Sequence, residues 1–225
     1  MFPIGDEEIR NAPPPVVNWG LILINVLVFF YEVILSQQAQ ANLIDHYGVV
    51  PVQILHGQNL ISLITSMFLH GGWMHIIGNM LFLWVFGDNI EQVMGHIPYL
   101  IFYFIGGLVA SGAHILFNAN STIPSIGASG AIAAVLGAYI IMFPRSQIKV
   151  LLFLGFRAGI TRISALIFLG IWAVTQLFNG VASLGVPTAQ TSGVAVWAHV
   201  GGFVLGLLGG FLFKSAAESK VVASG

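Results

Sequence analysis

The chain has 225 residues; 7% are Asp, Glu, Lys or Arg and 57% are hydrophobic, whereas an average soluble domain is about 25% charged. With a mean hydropathy of +0.92 and a net charge of −1, this excludes a disordered chain, a nucleic-acid binder held by basic patches and almost any soluble globular domain. The absence of cysteine excludes disulfides, thiolate metal sites and a cysteine nucleophile.

Residues 1–18 are polar and proline-rich and read as a short soluble tail. Its first residues, MFPIGDEEIR, are acidic and lack the apolar run of a cleaved signal peptide. A membrane-spanning helix takes about 20 residues, and six apolar runs follow. The first covers roughly Trp19–Ser36. A mixed stretch, about 37–64, contains Asp45, His46, Pro51 and His56 beside Val49, Val50, Ile54 and Leu55, and is expected at the membrane interface. The second run is roughly Thr65–Gly87, the third Pro98–Phe117, the fourth Gly127–Phe143, the fifth Ile163–Ala182 and the sixth Ala195–Lys214. The expected organisation is a tail at 1–18, a six-helix membrane domain at 19–214 and a second tail at 215–225. The fold class expected is an all-α, polytopic, six-span membrane bundle.

The basic residues orient this bundle. Arg10, Arg145, Lys149, Arg157, Arg162, Lys214 and Lys220 all fall in the first tail, the fourth-to-fifth connection or the end of the chain. Excess Lys and Arg marks cytoplasmic segments, so both termini are expected on the cytoplasmic side. The fourth run has about 17 residues, the lower limit for crossing. It follows the polar segment NANSTIPS, so its helix should start below the external surface. Irregular backbone at that depth is tolerated only inside protein or beside water. The start of span four should therefore line a wet, protein-enclosed hollow.

Spans two, four and six all run inward, which brings several polar groups to one depth. Ser129 lies at the start of span four and His199 about one turn into span six. His75 and Asn79 are spaced i,i+4 in the outer half of span two and share a helix face. Each has a bland reading as well. Gly127-Ala128-Ser129-Gly130 could be a packing patch, and the His and Asn side chains could simply knit helices together. Their common depth favours a shared site with the parts for nucleophilic acyl transfer. His199 would take the proton of a serine that is otherwise a weak nucleophile. Asn79, His75 and the Ser129 backbone N–H, at a helix start that favours negative charge, would face the oxyanion. His46, His56, His96 and His114, at loops or span ends, read as solvated surface. There is no H-E-x-x-H zinc motif, and Asp88 at the inner end of span two has no acidic partner for an aspartyl site, Glu32 lying near the opposite surface.

These motifs, in this order, resemble the rhomboid family of intramembrane serine proteases, in its prokaryotic six-span form. H-x-x-x-N stands at His75 to Asn79, an upstream histidine at His70, and E-x-x-x-G at Glu91 to Gly95. G-x-S-G stands at Gly127 to Gly130, and the last span has Ala198-His199 followed by Gly202 and Gly206. The resemblance covers about residues 65–210. It implies that Ser129 is the nucleophile and His199 its base, with His75, Asn79 and the Ser129 backbone forming the oxyanion hole. Gly127, Gly130, Gly202 and Gly206 would allow close packing at the site. It further implies proteolysis of transmembrane protein substrates near the external face, with lipid as surroundings and no cofactor, metal or nucleic acid. Short tails suit a prokaryotic inner membrane. Two positions depart from the pattern: Ala133 replaces the aromatic that many members place under the histidine ring, and Leu60-Ile61-Ser62 lacks a Trp-Arg pair. The competing readings are a catalytically inactive relative that binds and escorts membrane proteins, and a small transporter using the buried histidines.

Overall fold

The structure is a computed structural model, and it describes residues 2–7, 9, 12–154, 157–184 and 195–224. In chain order it contains β1 (Phe2–Gly5), α1 (Val16–Ile34), α2 (Gln37–Tyr47), α3 (Pro51–Leu55), α4 (Ser62–Thr65), a 3-10 turn (Ser66–Phe68), α5 (Trp73–Met94), α6 (His96–Phe117) and α7 (Ser129–Met142). The hairpin β2 (Gln147–Leu154) and β3 (Arg157–Ser164), then α8 (Ala165–Ser183) and α9 (Val196–Ser224), complete it. Four of the described helices, α1, α6, α8 and α9, are long and apolar enough to cross a membrane. Their outward faces carry exposed Leu23, Leu27, Ile101, Ile171, Phe178 and Leu208, as a lipid solvent requires.

The helix α7 sits inside this ring. Its 14 residues span about 21 Å, short of the roughly 30 Å hydrocarbon core. Twelve of them, from Gly130 to Ile140 and Met142, are buried, the signature of a helix that is apolar on every face. Its neighbour α9 approaches closely because glycine lines the contact. A Cβ at Gly202 would collide with the Gly130 carbonyl oxygen, one at Gly206 with that of Ala134, and one at Gly137 with that of Phe203. Small residues of this kind let helix backbones meet where lipid supplies no hydrophobic drive.

Glu91 ties the N-terminus of α1 to the other end of α5. Its buried carboxylate accepts the N–H groups of Val17 at 3.0 Å and Asn18 at 2.6 Å, donors that the first turn of a helix leaves without intrahelical partners. Four residues on, Gly95 adopts φ +86° and turns the chain directly from α5 into α6, a conformation that glycine adopts without strain.

Several elements differ from the sequence expectation. The second long helix begins at Trp73, not Thr65, and runs on to Met94. The stretch before it breaks into α4, a 3-10 turn and the pair Gly71-Gly72. The supposed tail 1–18 contributes β1, and the fourth-to-fifth connection is the β2–β3 hairpin, so a three-stranded antiparallel sheet of order β1-β2-β3 accompanies the helices. The segment 215–225, expected as a tail, continues α9 as far as Ser224.

Candidate active site

Ser129 is the first residue of α7. The turn that delivers it depends on Gly127, which has φ +122° and whose N–H donates to the Ser66 carbonyl at 2.9 Å. Upstream, Val49 and Ser125 exchange backbone hydrogen bonds of 2.9 and 2.8 Å, which anchors the irregular segment to the chain preceding α3. His199 lies in the first turn of α9. The close α7–α9 contact brings the two side chains together, and Ser129 Oγ is 2.8 Å from Nε2 of His199.

The other ring nitrogen is also engaged. His199 Nδ1 is 2.8 Å from Oε1 of Gln176 on α8. Since an amide oxygen only accepts, Nδ1 carries the proton and Nε2 presents its lone pair to the serine hydroxyl. The Trp172 ring, one turn earlier on α8, lies 5.9 Å from the imidazole at an interplanar angle of 40°. The ring is thus supported from α8, while Ala133 is fully buried in the α7–α9 contact.

His75 and Asn79, in the first two turns of α5, border the same turn. A Cβ placed on Gly127 would stand 2.7 Å from the His75 ring and 3.6 Å from the Asn79 amide nitrogen. That fit explains why position 127 has no side chain. Asn79 is buried, and its Nδ2 donates to Nε2 of His70 at 2.9 Å. His70 is itself fully buried, with its backbone N–H 3.2 Å from both carboxylate oxygens of Glu32 on α1. The ring of His75 meets that of His70 edge-on at 5.0 Å, and its Nδ1 accepts the Gly71 N–H at 3.3 Å.

A cavity of about 30 Å³ adjoins Ser129 on the α6 side, lined by Ser66, Ser111, His114, Ser125 and Gly127 among others. Polar groups make up about half of its lining, and it exceeds the roughly 10–15 Å³ that one water needs. His114, expected as solvated surface, is half-buried and lines this cavity. Its span-end position hid this, because Ser125, Ile126 and Gly127, which follow α6 in the chain, line the same cavity.

The four residues singled out from the sequence therefore converge: Ser129 and His199 are bonded, and His75 and Asn79 pack on the glycine two residues before Ser129. Gly130 packs against Ala110 of α6, where an added Cβ would come within 2.6 Å. Sequence reasoning missed Gln176 and the part of Glu32 in holding His70. A signal existed for both, because a polar side chain inside an apolar span needs a partner.

A family model described as the rhomboid domain matches residues 57–216. Over 211 residues the chain is 27% identical to "Rhomboid protease GluP" of Bacillus subtilis (strain 168), covering 88% of this chain and 40% of that protein. It is 30% identical over 171 residues to "Rhomboid protein 1, mitochondrial" of Saccharomyces cerevisiae (strain ATCC 204508 / S288c), with coverages of 71% and 44%. It is 29% identical to "RHOMBOID-like protein 1" of Arabidopsis thaliana over 171 residues, with coverages of 76% and 39%. The chain thus spans about two fifths of the length of these curated relatives. The family match covers well over half of the chain and its motifs meet at one place in the fold: the chain belongs to the rhomboid family.

Proposed function

We propose that this chain is an intramembrane serine endopeptidase that cleaves transmembrane segments of other membrane proteins through a Ser129–His199 dyad. The observation that carries the reading is the 2.8 Å bond between Ser129 Oγ and His199 Nε2. As a substrate carbonyl carbon meets Oγ, His199 takes the hydroxyl proton and the tetrahedral oxyanion forms. The Ser129 backbone N–H, one amide N–H of Asn79 and the His75 ring surround that oxygen. An asparagine amide has two N–H groups, so bonding to His70 still leaves one for the oxyanion. His199 then passes its proton to the leaving amine. A water, for which the cavity beside Ser129 has room, attacks the acyl-enzyme with His199 again as base, and the serine is regenerated.

The membrane setting follows the same reading. The substrate is a protein segment that arrives through lipid, and no cofactor takes part. The site lies toward the external face, with both ends of the chain on the cytoplasmic side, as the clustering of basic residues supports. That one relative is named a protease agrees with this. An escort protein without activity is the second reading. The bonded pair disfavours it, because binding alone requires neither the hydroxyl nor the imidazole.

The test is cleavage of a panel of single-span substrates in liposomes by wild type and Ser129→Ala. The wild type is expected to cleave at least one substrate and to react with a fluorophosphonate at Ser129. The variant should lose at least about 10³-fold in rate while keeping its thermal unfolding profile. A wild-type protein that neither cleaves nor labels would leave the escort reading in place, and normal cleavage by Ser129→Ala would remove the nucleophile assignment.

A further inference from the structure

We infer that Gln176 is a positioning residue for the dyad: its amide oxygen holds the Nδ1–H of His199 and so keeps Nε2 aimed, unprotonated, at Ser129. The inference rests on the protease reading and extends it to a third side chain. The geometry is linear in function: Gln176 Oε1 to Nδ1 is 2.8 Å, and Nε2 to Ser129 Oγ is 2.8 Å. An imidazole has two tautomers, and the hydrogen bond at one nitrogen decides the state of the other. Without an acceptor at Nδ1, the neutral ring would also populate the form with hydrogen on Nε2, which accepts nothing from serine.

The helix that carries Gln176 presents one narrow stripe to the protein. Phe168, Trp172, Gln176 and Gly180 recur every four residues. Phe168 is buried, Trp172 packs on Phe203 and His199, and a Cβ at Gly180 would stand 3.3 Å from Trp197. The remaining faces of α8 are lipid-like, with Leu166, Ile167, Ile171, Val174, Leu177, Phe178 and Val181 all exposed. An amide in hydrocarbon is costly unless bonded, and here its bond goes to the catalytic base. The helix α8 brings no charged residue at all, and α7 brings the serine. The acceptor at Nδ1 is therefore a neutral amide, in the place where other hydrolases set a carboxylate or an asparagine. Its position on α8 links the docking of that helix to the tautomer of His199.

Three variants test this in the whole 225-residue chain reconstituted in detergent or liposomes. Gln176→Met keeps the shape and removes the acceptor; Gln176→Glu restores an acceptor oxygen in either protonation state; Leu177→Ala alters an exposed neighbour as a control. Gln176→Met is expected to lower kcat by roughly 10–100-fold with little change in KM, while Gln176→Glu and Leu177→Ala stay within about threefold of wild type. In ¹⁵N spectra of labelled His199, the wild type should show hydrogen on Nδ1, and Gln176→Met should shift toward the Nε2–H form. Full kcat in Gln176→Met, an equal loss in the Met and Glu variants, or an unchanged tautomer in Gln176→Met would each overturn the inference. The spectroscopic arm needs no substrate, so it stands even if the wild type proves not to be a protease.

Discussion

On the proposed mechanism, Asn79 has two tasks within a few ångströms. One amide N–H is committed to Nε2 of His70, a fully buried ring whose backbone is held in turn by Glu32. The other N–H is the one assigned to the oxyanion. If so, Asn79→Ala removes a preorganised donor and also leaves His70 Nε2 buried without its partner. The expected result is a drop in kcat of about 10²–10³-fold, with KM changed much less, measured on a single-span substrate in liposomes. A variant whose loss lay wholly in KM would assign Asn79 to substrate binding instead. The residues of this site were legible in the sequence because polar groups in an apolar span stand out and helix direction fixes their depth. What stayed hidden was pairing. Glu32, His70, Gln176 and His114 were visible as polar residues, but which groups they met depends on helix rotation and on the fold of 65–72 and 118–128. Span length constrains neither.

At the scale of elements, the α7–α9 contact decides whether Ser129 and His199 meet. Gly202 and Gly206 face carbonyl oxygens of α7 with no room for a side chain, so any Cβ must push the helices apart. Gly206→Val is expected to destabilise the bundle by about 1–3 kcal/mol or more. It should also cut fluorophosphonate labelling of Ser129, because separating the helices stretches the Oγ–Nε2 bond. Gly170→Ala, on α8 with nothing within 4 Å of the added carbon, is the matching control and should leave the melting temperature and labelling near wild type. Equal melting curves for both variants would show that the close approach is not what holds α7 to α9. The spacing of these glycines made the contact readable in advance. The β2–β3 hairpin was not read, although its pattern was present: Ile148 and Val150 are fully buried on either side of exposed Lys149, the period-2 alternation of a strand. Its first partner, β1, lies about 145 residues earlier, and pairing over that distance leaves no local trace.

For the whole molecule, the end opposite the dyad gathers the chain's positive charge. The pairing of β1 with β2, the bond from Asn89 to Asp6, and that from Lys220 to the Gln92 carbonyl place the first strand, the hairpin and the C-terminal parts of α5 and α9 together. Arg145, Lys149, Arg157, Arg162, Lys214 and Lys220 belong to segments at this end, and Arg10 lies outside the described residues. Ser129 and His199, at the N-terminal ends of α7 and α9, occupy the other. If the excess of Lys and Arg sets orientation, the dyad end faces away from the cytoplasm. The lack of native cysteine makes this directly measurable, because any introduced thiol is the sole target of a maleimide. Asn120 and Ser219 are both exposed, one beyond the end of α6 and one near the end of α9. In intact cells a membrane-impermeant maleimide should label Asn120→Cys, and Ser219→Cys should react only after the membrane is opened. The reverse pattern would turn the molecule over and put the dyad on the cytoplasmic side. Labelling of both in intact cells would mean that an even number of crossings separates the two positions. The count matters for mechanism, since the path of water to Ser129 begins on whichever side the Asn120 thiol reports.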